Sequence, residues 1–293
     1  MAYRLFNKEL LLIVLCSQML TSLLAQPTLF KEIALNSPCS SMDIDNEGNV
    51  FLLDKENNRI HKYFQQMGFD SVLTMGGKRN SEEGFIQPIK LSIKNRQNLY
   101  VLDDAGRKVV LLNTNLRVVQ SFDFWDMEVN AEALLGGEEL LPLSFDVSMN
   151  GEQFVLNQFD NRVYKVNSFG ELELAFGGLD YGEGSLYEPV DIYVNEDNLV
   201  FISDFANEAI LVFDIFGTYR YEIDFPKGIE TLEFSSIGKY LIAGSNNRVF
   251  LYHLQKGEWE DLLLELPSDL VDVRLDRDFL YLLFKNALHL YTY

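Results

Sequence analysis

Apolar and polar positions alternate in short runs along most of this chain, and the runs recur in the same order. Met42-Asp43-Ile44 leads through Asn46-Glu47-Gly48-Asn49 to Val50-Phe51-Leu52-Leu53-Asp54, then through Asn57-Asn58 to Arg59-Ile60-His61-Lys62-Tyr63. A later copy runs from Pro189 to Val194, turns through Asn195 to Asn198, and continues as Leu199 to Asp204 and Ile210 to Phe213. Period-two alternation bounded by Asn, Asp and Gly predicts half-buried strands joined by tight turns. Four further copies centre on Leu99 to Asp103, Phe154 to Asn157, Tyr240 to Gly244 and Leu280 to Phe284. The units are 40 to 54 residues long, the period of radial or stacked repeats.

The first five copies add a fourth strand: Ser71 to Met75, Val119 to Phe124, Leu172 to Phe176, Tyr219 to Phe225 and Asp261 to Leu266. The sixth stops after its third strand, at Leu288 to Tyr293, while an orphan strand, Thr28 to Leu35, stands at the other end. If the orphan completes the last sheet, the ring closes and an exposed edge disappears. An open solenoid would leave Thr28 to Leu35 without a partner. The expected fold is therefore all-β: a six-bladed β-propeller of four-stranded antiparallel blades over residues 26–293, closed by its N-terminal strand.

Residues 1–25 read differently. Arg4 and Lys8 precede an apolar run from Leu10 to Leu15, and Ser22-Leu23-Leu24-Ala25 follows, the order of a secretory signal peptide. A membrane anchor needs about 20 predominantly apolar residues, and Ser17, Gln18, Thr21 and Ser22 interrupt this stretch. Cys16 offers a third reading, a lipidated N-terminal cysteine, but Leu15 stands where a small residue is expected. Cleavage leaves no transmembrane segment and implies a periplasmic, outer-membrane-associated or secreted protein. It also leaves Cys39 alone, so no intrachain disulfide can form.

The net charge of −20 excludes nucleic acid and anionic membrane as partners held by the general field. Cations or basic partners are favoured, and solubility alone also accounts for the charge.

The repeat resembles the NHL-type six-bladed propellers. The carrying residues are Phe176-Gly177-Gly178, Gly182-Glu183-Gly184, Pro189, Ser203-Asp204 and Asn57-Asn58-Arg59-Ile60. Met75-Gly76-Gly77, Gly84 and Pro88 repeat the first part, and Asn161-Arg162-Val163 and Asn246-Asn247-Arg248-Val249 repeat the turn. The resemblance implies architecture; such propellers serve as protein-binding platforms and also as lyases and lactone hydrolases.

Registering the innermost strands places Asp43, Lys90, Asp146, Asp191, Glu233 and Asp272 at one position around the channel. Such a ring offers oxygen ligands to a divalent cation. Its structural alternative is a set of carboxylates bonded to neighbouring backbone amides, with Lys90 relieving repulsion. Asp54, Asp103, Asn157 and Asp204, ending the second strands, read as turn caps. His61, His253 and His289 fall in or just past third strands, away from the channel, which argues against a three-histidine zinc site. No Gly-x-Ser-x-Gly motif occurs, and Cys39 lacks a histidine in register.

The link Trp125 to Pro142 mixes leucines and acids, suiting either a partner surface or a short amphipathic helix. With Phe159, Tyr181, Tyr187 and Phe205 it forms the candidate contact set. These readings favour a non-enzymatic binding or scaffolding propeller, monomeric within a complex with another envelope or secreted protein and needing no cofactor. The alternative is a secreted lyase or hydrolase using a divalent cation at the channel.

Overall fold

The computed structural model describes residues 26–77, 84–94, 98–103, 105, 107–124, 140–227, 229, 233–245 and 247–293. The alternating runs become strands gathered into six four-stranded antiparallel sheets. After β1 (Thr28–Ala34), blade one holds β2–β5 (Ser41–Ile44, Val50–Asp54, Arg59–Tyr63, Val72–Gly76) and blade two β6–β9 (Lys90–Ile93, Asn98–Asp103, Lys108–Asn113, Val118–Asp123). Blade three holds β10–β13 (Pro142–Val147, Gln153–Asn157, Arg162–Val166, Leu172–Gly177) and blade four β14–β17 (Pro189–Val194, Leu199–Asp204, Ala209–Asp214, Tyr219–Asp224). Blade five holds β18–β21 (Glu233–Ile237, Tyr240–Ser245, Arg248–His253, Glu258–Asp261) and blade six β22–β24 (Leu270–Leu275, Leu280–Phe284, Ala287–Thr292).

The first strands of successive blades touch in a closed cycle, β2 to β6, β10, β14, β18, β22 and back to β2. They surround a central channel. β1 pairs antiparallel with β24, from Thr28 opposite Thr292 to Ala34 opposite Ala287. It is the outer strand of the sixth sheet, in the order β1-β24-β23-β22.

Second strands are buried on both faces because a blade packs against each side. Val50 to Leu53, for example, are fully buried, which is why these strands read as unbroken apolar runs. Phe51, Leu53 and Ile60 pack with Leu91, Leu99 and Val101 between blades one and two, and equivalent cores recur around the ring.

Blade five departs from expectation. Its fourth strand is the short β21, ending at Asp261, and not the leucine run Asp261 to Leu266. Leu262 still donates its N–H to the Val249 carbonyl (2.9 Å), but Leu263 then takes a left-handed φ of 50° and turns the chain away. Leu262, Leu264 and Leu266 lie half-buried against the core between blades five and six; their alternation serves packing without a pairing strand.

The second strand's terminal Asp or Asn does more than cap its turn. Asp103 accepts from the N–H groups of Ile86 and Gln87, Asn157 from Leu141, and Asp204 from Tyr187 and Glu188. Each bonded segment immediately precedes Pro88, Pro142 or Pro189, so the side chain fastens the incoming link where the inner strand begins. Asp54 meets the link before Pro38 through the Ser37 side chain and not through a backbone N–H.

Candidate functional site

The six channel candidates are not one ring but members of two stacked layers. Lys90, Asp191, Glu233 and Asp272 pair with Leu102, Ser203, Gly244 and Leu283, which face Val109, Ile210, Val249 and Leu288 in the third strands. The matching residues of blades one and three, Leu53 facing Ile60 and Leu156 facing Val163, pair with Ser41 and Ser144. The first layer is therefore Ser41, Lys90, Ser144, Asp191, Glu233 and Asp272. Asp43 and Asp146 stand two residues further along, in a second layer with Ser92, Tyr193, Ser235 and Arg274.

The reason lies at the strand starts. Lys90, Ser144 and Asp191 each follow Pro88, Pro142 or Pro189 by two residues, and matching acids instead of prolines shifted blades one and three by one pleat repeat.

Three of the acids are fixed by the next blade's backbone. Asp272 accepts the Met42 N–H, Asp43 that of Ile93 and Asp146 that of Val194, each at 2.7 Å. These bonds tie inner strands together and account for the acids structurally. Two cations that the channel register overlooked compensate them: Arg274 reaches Asp43 (3.4 Å) and Asp272 (2.5 Å), and Lys94 reaches Asp146 (3.0 Å). Burial pulls the Lys94 ammonium down, but Asp146, Tyr193 and Asp43 outweigh it and hold its pKa above the usual range. Lys94 also stands over the Tyr193 ring, 3.5 Å from its centroid.

Lys90, Ser144, Asp191 and Glu233 remain. Lys90 Nζ bonds Asp191 and donates to Ser144 Oγ (2.9 Å), while Ser144 Oγ donates to Asp191 Oδ1 (2.6 Å). Glu233 has no ion-pair partner among the described residues, since Lys90 is taken by Asp191. Burial pushes its carboxyl well above the usual carboxylate range, and the nearby Asp191 and Asp272 charges add to the effect against Lys90 and Arg274. The channel thus sets a carboxyl of raised pKa beside a lysine–carboxylate pair, an arrangement suited to donating a proton and to offsetting developing negative charge.

The divalent cation of the alternative reading does not suit these residues. Lys90, Lys94 and Arg274 pair with every channel carboxylate but Glu233, and among the described residues no three His, Cys, Asp or Glu side chains are placed to hold a metal ion.

A cavity of about 450 Å³ opens where the inner strands end, lined near the channel by Asp43, Lys94, Tyr193 and Arg274. Its rim carries Asp45, Glu47, Glu196, Asp276 and Asp278 against Arg277.

The histidines stay outside. His61 lies in β4, its Nδ1 against Thr74 Oγ1 (2.8 Å), and burial lowers its pKa despite Asp54. His289 lies in β24 opposite Glu32 and is likewise lowered by burial. Cys39 is buried, its thiol pushed up to about 12 by desolvation and by Asp54, which removes its nucleophilic form. Of the contact candidates, Phe159, Tyr181 and Tyr187 are exposed. Phe205 is not free: its ring packs edge-on against Phe225 at 5.1 Å and joins the core between blades four and five. Trp125 lies outside the described residues.

No family model matches the chain, and no curated protein matches it. Solved structures do. Virginiamycin B lyase from Staphylococcus aureus is 11% identical with a TM-score of 0.61, covering 91% of this chain and 99% of that one. A streptogramin B lyase is 11% identical with a TM-score of 0.58, covering 86% and 78%. A catalytically inactive histidine-to-alanine variant of the Staphylococcus aureus lyase with quinupristin is 12% identical with a TM-score of 0.61, over 91% and 99%. At this identity the likeness establishes the six-bladed fold. The expectation of a non-enzymatic scaffold is corrected by these three neighbours, which are lyases and not binding platforms.

Proposed function

We propose that the chain is an exported lyase or hydrolase of ester or lactone C–O bonds, working by proton transfer in the first channel layer. The observation that carries this reading is the placement of Glu233 in the first channel layer with the Lys90–Asp191 pair, its carboxyl pKa raised by burial and by the Asp191 and Asp272 charges. Protonated, Glu233 supplies the proton that a departing oxygen needs. Lys90 and Arg274 offset negative charge that develops as the bond breaks, and Ser144 fixes Asp191 as the proton acceptor. The repeat's resemblance to NHL-type propellers, among which lyases and lactone hydrolases occur, supports the same class.

The neighbours' specific substrates do not carry over. One of them is inactivated by loss of a single histidine, whereas His61, His253 and His289 here lie in third strands.

The test is incubation of purified protein with a panel of lactones, cyclic depsipeptides and esters, followed by mass spectrometry. A ring-opened product of unchanged mass marks elimination, and a gain of one water marks hydrolysis. Glu233→Gln is expected to lower kcat by about 10²-fold or more. Turnover undiminished in Glu233→Gln, or no turnover across the panel, overturns the reading.

A further inference from the structure

The seam between blades five and six contains a second cavity, which shares only Leu275 with the lining of the channel cavity. It encloses about 270 Å³ and is walled by Ile242, Leu251, Leu262, Leu275 and Leu280, with Tyr240, Glu260, Asp261 and Tyr293 at its polar edge and Gln26-Pro27 beside them. Its origin is local. β21 ends after four residues and the chain turns off at Leu263, so leucines that would fill an inter-blade core stay half-buried. The core between blades one and two consists of fully packed side chains, whereas that between blades five and six carries Leu251, Leu262, Leu264, Leu266, Leu270 and Leu275 only partly covered.

A natural core rarely leaves such a space, because each missing contact forfeits dispersion energy. An apolar cavity of about 150 Å³ suffices for benzene. The space here suits an apolar body nearly twice as large, a short alkyl chain or a bicyclic ring.

The rim selects the head group. Asp261 is matched by Arg248 (2.6 Å), but Glu260 is exposed and has no ion pair among the described residues. Against a chain of net charge −20, a cationic head is attracted and an anionic one repelled. We propose that this seam is a binding site for a small amphipathic amine, its apolar body among the leucines and its ammonium group at Glu260.

The experiment is isothermal titration calorimetry of n-decylamine and of decanoate, each below its micelle concentration, into the full chain and into a chain beginning at Gln26. Saturable 1:1 binding of decylamine to both, with decanoate at least about tenfold weaker, supports the site. Glu260→Gln should weaken decylamine about three- to fivefold. Leu251→Trp, which fills the cavity, should abolish binding; Leu262→Phe does the same with a smaller intrusion, and its melting curve checks that the fold survives. Equal affinity in both filled variants, tighter decanoate, or no saturable binding overturns the proposal. Binding that appears only in the chain beginning at Gln26 also overturns it, making residues 1–25 the occupant. None of these outcomes depends on turnover in the channel.

Discussion

At the scale of single residues, Glu233 ties the proposed chemistry to stability. Its folded pKa is raised by burial and by Asp191 and Asp272, so the folded state binds a proton that the unfolded chain has released. Stability contributed by that proton is present below the ordinary glutamate pKa and is lost as pH rises through the folded value. Glu233→Gln removes the dependence. Melting curves of both proteins from pH 5 upward should diverge in favour of the variant, by about 1.4 kcal/mol per pH unit while the folded carboxyl stays protonated. Parallel curves would deny the raised pKa. The residue itself was legible in the repeat, but its neighbours were only partly so. Ser144 was hidden because a serine announces nothing, although Pro142 two residues before it carried the register that Pro88 and Pro189 share. Lys94 and Arg274 were missed because side chains from one and two pleat repeats further along reach the same acids.

At the scale of elements, the fastening of the incoming link in blades one to four explains a recurrence that sequence alone assigned to turns. Proline has no N–H to give to the neighbouring strand, so the link's last donors need another acceptor. Asp204 provides it for Tyr187 (2.7 Å) and Glu188 (3.2 Å) while also capping the turn at Asn207 (3.0 Å). Asp204→Ala should cost about 2–4 kcal/mol, since a charged acceptor is lost and buried donors are left unpaired. Asp204→Asn keeps an acceptor oxygen and should cost distinctly less, as blade three, which uses Asn157 at this place, suggests. Chemical denaturation of the two variants measures the difference; equal losses would mean that charge, and not the acceptor geometry, holds the link. The aromatic-Gly-Gly signal belongs to the same junction. Gly76 and Gly177 have φ of 98° and 75°, and a Cβ would lie 2.4 Å from the Asn58 carbonyl oxygen and 2.6 Å from Leu186, so a side chain is excluded twice over. Where this grammar lapses, as after β21, strand boundaries could not be read: Leu262, Leu264 and Leu266 alternate like a strand but spend their apolar faces on the neighbouring blade.

At the scale of the whole molecule, the ring depends on contacts between the two ends of the chain. β1 supplies the fourth strand of the sheet containing β22–β24, and Phe30 of β1 packs against Phe279 with the rings tilted by 38° and their centroids 4.9 Å apart. Asp272 of blade six also holds the Met42 amide of blade one inside the channel. A chain lacking residues 26–34 should therefore leave β24 as an unpaired edge with Tyr291 and Leu290 uncovered, the condition that invites edge-to-edge association. Two effects follow at different places. The channel bond from Met42 to Asp272 persists, so the remaining blades should keep their far-ultraviolet spectrum, while size-exclusion chromatography should show dimers or larger species. A synthetic peptide of residues 26–36 added in trans should restore the monomer by pairing with β24, because it supplies the same ladder at the cost only of its own ordering. A truncated chain that remains monomeric and melts like the intact one would mean that the inner cycle of first strands closes the ring unaided, with β1 merely covering an edge.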